Sequence, residues 1–172
     1  HLQDQFRERE TGKTYLALAV GVWPANHKVI DVPLRKFLLG GDGERRVRAT
    51  TPDDPNGMRS ITLVRVRSTL PARPTLGLPA FSLLEVTIKT GRTHQIRVHL
   101  ASRGHPIAGD DKYGDFELNR LLQKQGLKRM FLHAWRLQFT HPRSSERIEL
   151  RSTLPPELQA FLPPTATDAE TP

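Results

Sequence analysis

Hydrophobic and polar positions change period several times along the chain, and each change marks an element. Residues 14–20 (Thr-Tyr-Leu-Ala-Leu-Ala-Val) are an unbroken run of apolar residues and β-formers, which predicts a buried strand. Residues 29–32 predict a brief second strand before Pro33. Residues 61–67 predict a third, with Arg65 and Arg67 two apart and therefore on one side of the pleat. Residues 81–88 form the clearest strand of all. The period then lengthens: Ile96, Leu100 and Arg103 recur at helical spacing and predict a short helix with a buried stripe. Thr93 is its expected N-cap, Gly104 the left-handed residue at its end, and Pro106 bars continuation. Phe116, Leu118, Leu121, Leu122 and Gln125 predict a second helix stopped at Gly126. Residues 131–135 and 137–140 are strand-like, His141-Pro142-Arg143 turns, and residues 146–150 return as a hairpin partner. Pro155-Pro156 opens a last short helix at residues 157–162.

Between these elements, residues 40–43 and 51–58 are turns and residues 71–79 a loop. The glycines at 40–43 lack the strand–GxGxxG–helix setting of a phosphate cradle, so a hairpin turn is the better reading. Leu2, Gln5, Phe6 and Arg9 share a helical face with no cap before them. The expectation is the tail of a helix, in a fragment whose N-terminal part is absent. Residues 163–172 are Pro, Thr and Ala with two acids, an expected disordered tail. Strands and helices do not alternate strictly, which argues against a doubly wound sheet. The expected class is α+β: a mixed, mainly antiparallel sheet with packed helices, in one domain over residues 1–162.

Composition narrows the chemistry. The 172 residues include no cysteine, which removes disulfides, thiolate metal sites and thiol nucleophiles. The polar start and the lack of a long apolar run point away from a membrane and toward a cytoplasmic, monomeric protein. A net charge of +8 points to a polyanionic partner, most simply nucleic acid. Arg45, Arg46, Arg48, Arg65, Arg67 and Arg73 would bind a phosphate backbone if the fold gathers them.

Residues 91–114 hold the densest chemistry, with Arg92, His94, Arg97 and His99 crowded on and before one short helix. His94 and His99 are five apart, which does not present two metal ligands on one helical face. Asp110-Asp111 reads as a turn with Lys112.

The run Gly91-Arg92-Thr93-His94-Gln95-Ile96-Arg97-Val98-His99, continued by Gly104-His105-Pro106-Ile107-Ala108-Gly109-Asp110-Asp111-Lys112-Tyr113-Gly114, resembles the signature of the RluA-type pseudouridine synthases. Lys13-Thr14-Tyr15-Leu16-Ala17 resembles that family's tyrosine segment, and Phe131-Leu132-His133-Ala134 with Leu137, Phe139, His141 and Pro142 its C-terminal motif. Residues 115–129 are similar to the branch that acts on the large ribosomal subunit. The resemblance implies a pseudouridine synthase fold and isomerisation of uridine to pseudouridine in ribosomal (23S-type) RNA, without cofactor or metal. It also implies roles. Arg97 corresponds to the arginine that pairs with the catalytic aspartate, Tyr15 to the tyrosine at the target base, and Leu132 to a leucine of the uracil pocket. Arg92, His94 and Gln95 would contact RNA phosphate or support the loop, with Arg45, Arg46, Arg65 and Arg67 as further RNA contacts. The family's catalytic aspartate stands in an Arg-Leu-Asp-Arg-Asp-Thr-Ser-Gly-like segment that these 172 residues do not include. The chain alone is therefore expected to be inactive. A non-catalytic RNA-binding module is the alternative.

Overall fold

The computed structural model describes residues 12–39 and 44–163. The expected helix at residues 1–10, the turn at 40–43 and the tail from 164 lie outside the described residues. Six strands form one sheet: β1 (Gly12–Val20), β2 (Val29–Asp31), β5 (Ile61–Leu70), β6 (Phe81–Ile88), β7 (Leu132–Thr140) and β8 (Arg147–Arg151). Their order is β2-β5-β6-β1-β7-β8, and β3 (Leu34–Leu39) and β4 (Glu44–Ala49) form a separate hairpin. Every pairing among the described strands is antiparallel. The helices are α1 (Gln95–Ser102), α2 (Phe116–Lys124) and α3 (Pro156–Gln159). The α+β class and the antiparallel character follow the expectation.

Both faces of the large sheet are buried, and the alternation along β1 shows how. Leu16 and Leu18 join Leu83, Leu118, Leu122, Phe131 and Leu158 under α2 and α3. Ala17 and Ala19 face the other way, into a cluster with Leu84, Val86, Ile96 and Leu100 under α1. A strand covered on both sides needs apolar residues at every position, which is why residues 16–19 show no alternation. All four are fully buried, and at about 25 cal/mol per Å² their burial is a main contribution to stability.

The strand pieces expected at 131–135 and 137–140 are one strand with an irregularity. Tyr15 pairs with Ala134 and Thr14 with Arg136, so Trp135 is the extra residue of a bulge. The expected loop at 71–79 contains one 3-10 turn, Pro74–Leu76.

Helix α1 is wedged between the two sheets. Ile96 and Leu100 pack on the large sheet, while Val98 packs on Leu34 and Val47 of the hairpin. Successive helical residues turn by about 100°. Facing two sheets, α1 thus leaves two seams: Arg97 falls in one, and Gln95 and His99 in the other. The expected single stripe ending at Arg103 is corrected, since Arg103 is exposed and the buried set is Gln95, Ile96, Val98, His99 and Leu100. Thr93 is not the N-cap either. His94 holds that place in the left-handed region (φ 53°), with no side-chain cap. The Gln95 side chain organises the turn instead, its Oε1 accepting from the Arg92 amide at 3.1 Å and from the Thr90 hydroxyl at 2.7 Å. Gly104 is left-handed as expected, at φ 82°.

Candidate active site

The two seams of α1 differ in kind. In the first, Gln95 Nε2 donates to the Ile61 carbonyl and to Thr62 Oγ1, and Thr62 Oγ1 lies 2.7 Å from His99 Nδ1. His99 Nε2 lies 2.8 Å from the Val32 carbonyl, which can only accept. The proton is therefore on Nε2, and Nδ1 accepts from Thr62. Burial holds the His99 pKa below its ordinary value. This seam is a closed structural network.

The second seam carries charge. Arg97 Nε and Nη2 donate to Asp110 Oδ2 and Oδ1 at 2.9 and 2.6 Å. Asp110 is fully buried, and Oδ1 also accepts from the Lys112 and Tyr113 amides at 2.9 and 3.0 Å. Burial raises the Asp110 pKa, but Arg97 and those amides outweigh it and hold the carboxylate ionised. The Arg97 pKa is raised, first by its hydrogen bond to Asp110. The Tyr113 ring lies 5.2 Å from the guanidinium carbon. Nη1 has no hydrogen bond among the described residues, and the exposed Asp111 carboxylate approaches Nη2 at 3.5 Å, so the outer edge of the fork can take a further acceptor at Nη1. With its oxygens filled by an arginine and two amides, Asp110 has little left to offer a cation.

The loop that supplies Asp110 is held on several sides. Its carbonyl accepts from Asn119 Nδ2, and Asn119 Oδ1 accepts from the Gly109 amide. A Cβ on Gly114 would stand 2.3 Å from the Asp110 carbonyl oxygen, and one on Gly109 2.5 Å from that of Arg129. Glycine is required at both by close backbone approach. The Tyr113 hydroxyl accepts from the Val47 amide and lies 2.8 Å from His94 Nδ1. Burial, then the charge of Arg97, lowers the His94 pKa and keeps the ring neutral.

Tyr15 and Leu132 lie on the α1 side of the sheet. Leu132 is opposite Ala17, Tyr15 opposite Ala134, and both pack with Ile96 in one cluster. The residue before Arg97 thus touches the cluster that holds the other two expected catalytic residues. Tyr15 also lines a cavity of 310 Å³ with Ala134 and Leu137. Burial raises its pKa, so the hydroxyl stays protonated at neutral pH, and it has no hydrogen-bond partner among the described residues.

Comparison with known proteins decides the family. The pattern described as RNA pseudouridylate synthase matches residues 1–102, more than half of the chain. The chain belongs to the RNA pseudouridylate synthase family. Within that family it is 38% identical over 162 residues to the ribosomal large subunit pseudouridine synthase C of Vibrio cholerae, covering 94% of this chain and 46% of that protein. It is 40% identical over 164 residues to the same-named protein of Salmonella typhimurium, covering 94% and 47%. The chain thus spans about half the length of these relatives. Among solved structures it resembles human RNA pseudouridylate synthase domain containing 1, with a TM-score of 0.67 and 28% identity over 92% of this chain and 62% of that one. Human RNA pseudouridylate synthase domain containing 4 gives a TM-score of 0.66 and 27% identity over 93% and 64%. The pseudouridine synthase fold is therefore established for this chain.

Several residues expected at an RNA surface sit elsewhere in this synthase fold. Gln95 is buried, with its amide groups occupied inside the protein. The Arg67 side chain is 8% exposed, pairs with Glu85 at 3.1 Å and lies over Trp135, at the register shift after Val66. Arg65 shares its side, as expected, and reaches the same Glu85 carboxylate at 3.9 Å, but its side chain is 82% exposed. Arg46 donates to the Lys112 carbonyl at 2.9 Å and braces the Asp110 loop. His94 serves Tyr113. Arg45 on β4 is exposed, and Arg92 is half-buried with Nε donating to the Arg59 carbonyl. Arg45, Arg46 and Arg48 belong to the hairpin, and Arg65 and Arg67 to the large sheet. Asp110 read only as a turn residue, and Tyr113 carried no expected role. The glycines flanking them at 109 and 114 were the available signal.

Proposed function

We propose that this chain supplies the base-facing half of a synthase that isomerises specific uridines of ribosomal RNA to pseudouridine. The target nucleotide must leave its stack to enter the cleft. There the N1–C1′ bond breaks, the uracil turns, and C5 bonds to C1′. The C5 proton is then lost and N1 takes one up, so the reaction balances with no external reductant or oxidant.

In this reading Arg97 pairs through its open Nη1 edge with the catalytic carboxylate, supplied by a segment outside these 172 residues. A guanidinium fixed by a buried acid costs little to reorganise when a second carboxylate docks. Tyr15 places its ring and protonated hydroxyl against the uracil, and Leu132 packs behind. The observation that carries the reading is the Arg97 fork, gripped by Asp110 through Nε and Nη2 and with Nη1 not hydrogen-bonded among the described residues, beside the Tyr15–Leu132 cluster.

The test uses the protein that contains this chain, incubated with ribosomal RNA labelled with tritium at uridine C5. Release of tritium to water with formation of pseudouridine supports the assignment. Sequence-tolerant RNA binding without release would favour a non-catalytic module. The 172-residue chain alone is expected to release none.

A further inference from the structure

A small cavity of 130 Å³ lies between the β3–β4 hairpin and the segment leading into α1. Lys36, Gly91, Arg92 and Thr93 line it, with Leu34 and Met58 on its apolar side. Neither Lys36 nor Arg92 has a carboxylate partner among the described residues, although most other arginines at the site are paired or stacked. Arg92 is held in place: its amide donates to Gln95 Oε1, and its Nε to the Arg59 carbonyl at 3.3 Å. Its terminal nitrogens carry no hydrogen bond among the described residues. A Cβ on Gly91 would meet nothing within 4 Å, so the backbone there is open to a ligand.

We propose that this cavity is a phosphate subsite, in which Lys36, Arg92 and the exposed Thr93 hydroxyl hold one phosphodiester of the RNA strand whose base enters the cleft. Two cations without an internal counter-charge, one already oriented, suit a compact oxyanion. The apolar side, Leu34 and Met58, suits the adjoining ribose. Arg92 shares a turn with Arg97 through Gln95, so a phosphate bound here is tied to the reacting centre by a rigid connection. The proposal rests on the RNA-modifying reading above and adds a site that reading does not need.

Binding of a single-stranded RNA to the protein containing this chain, measured by anisotropy across salt concentrations, tests it. Lys36→Ala and Arg92→Ala should each weaken binding for all sequences alike. Each should also lower the slope of log affinity against log salt by about 0.7, the expectation for one lost phosphate contact on a single strand. Lys36 is exposed, so its variant tests the idea even if Arg92→Ala unfolds. Lys124→Ala, on α2 across the sheet, is the control and should leave the slope unchanged. Tight RNA binding with an unaltered slope in Lys36→Ala and in folded Arg92→Ala overturns the subsite and leaves the synthase reading intact. Inorganic phosphate that shifts the Gly91–Thr93 amide resonances, with no slope change for RNA, overturns it equally. Absence of tritium release from C5-labelled RNA by the parent protein would instead count against the synthase reading.

Discussion

The Arg97 guanidinium and the buried Asp110 carboxylate meet through two parallel hydrogen bonds, 2.9 Å at Nε and 2.6 Å at Nη2. The sequence led to an arginine facing an acid outside the chain, and the structure adds an acid within it. Asp110 is a positioning residue in this account, because its oxygens are filled by groups that hold it still.

Breaking such a pair on one side leaves a buried charge unmatched, at a cost of about 3–5 kcal/mol. Asp110→Asn is expected to lose stability on that scale in a denaturant titration. Asp110→Asn combined with Arg97→Met should lose less than the sum of the single variants, because no lone charge then remains. Strict additivity would show that the two side chains do not depend on each other.

Gly114→Ala should lose about 1–3 kcal/mol, since its Cβ meets the Asp110 carbonyl oxygen at 2.3 Å and backbone must move. Gly104→Ala, left-handed but with open space around it, should lose only about 1 kcal/mol. Melting of the two variants side by side checks the contrast, and equal losses would mean that the Asp110 loop is free to shift.

Stability should fall on mild acidification. The His94 and His99 pKa values are lowered by burial from an ordinary 6.5, so between the folded and unfolded values the unfolded chain binds more protons. The contribution of neutral imidazole is complete above 6.5 and is lost as pH falls from there toward the lowered folded values. The Asp110 contribution behaves separately. With its folded pKa lowered, it is complete above the unfolded value near 3.8 and is lost as pH falls through the folded one. Denaturant midpoints across pH should show two declines, with the upper one shallower in His94→Gln.

Tyr15→Phe should melt within about 0.5 kcal/mol of the parent, because the hydroxyl has no partner to lose. Its isomerisation rate should nevertheless fall. A normal rate would leave only the ring as the useful part of Tyr15.

Much of this architecture was legible from the order of residues. The apolar run at 14–20 and the pattern at 81–88 became the adjacent strands β1 and β6, and Asp115 caps α2 through the Leu118 amide just ahead of the apolar positions used to place it. The hairpin arm at Leu34–Leu39 was not legible, because Lys36, Phe37 and Leu38 do not alternate and its packing partner, Val98, is distant in sequence. The burial of Arg67 was not legible either, because its partners Glu85 and Trp135 are distant in sequence. At the site, Arg97 could be picked out by motif, whereas its partner could not. Asp110 looks like a turn residue, and only the fold shows that the turn is closed on an arginine one helix away.

The most direct test is Arg97→Lys in the catalytically complete protein, assayed for tritium release from C5-labelled RNA and for RNA affinity. Lysine keeps the charge but cannot bridge two carboxylates through a planar fork. The account predicts that turnover falls by at least about 100-fold, the scale of one lost preorganised contact, while RNA affinity changes little. Turnover within about twofold of the parent, in a protein that folds and binds RNA normally, would contradict a catalytic part for this arginine.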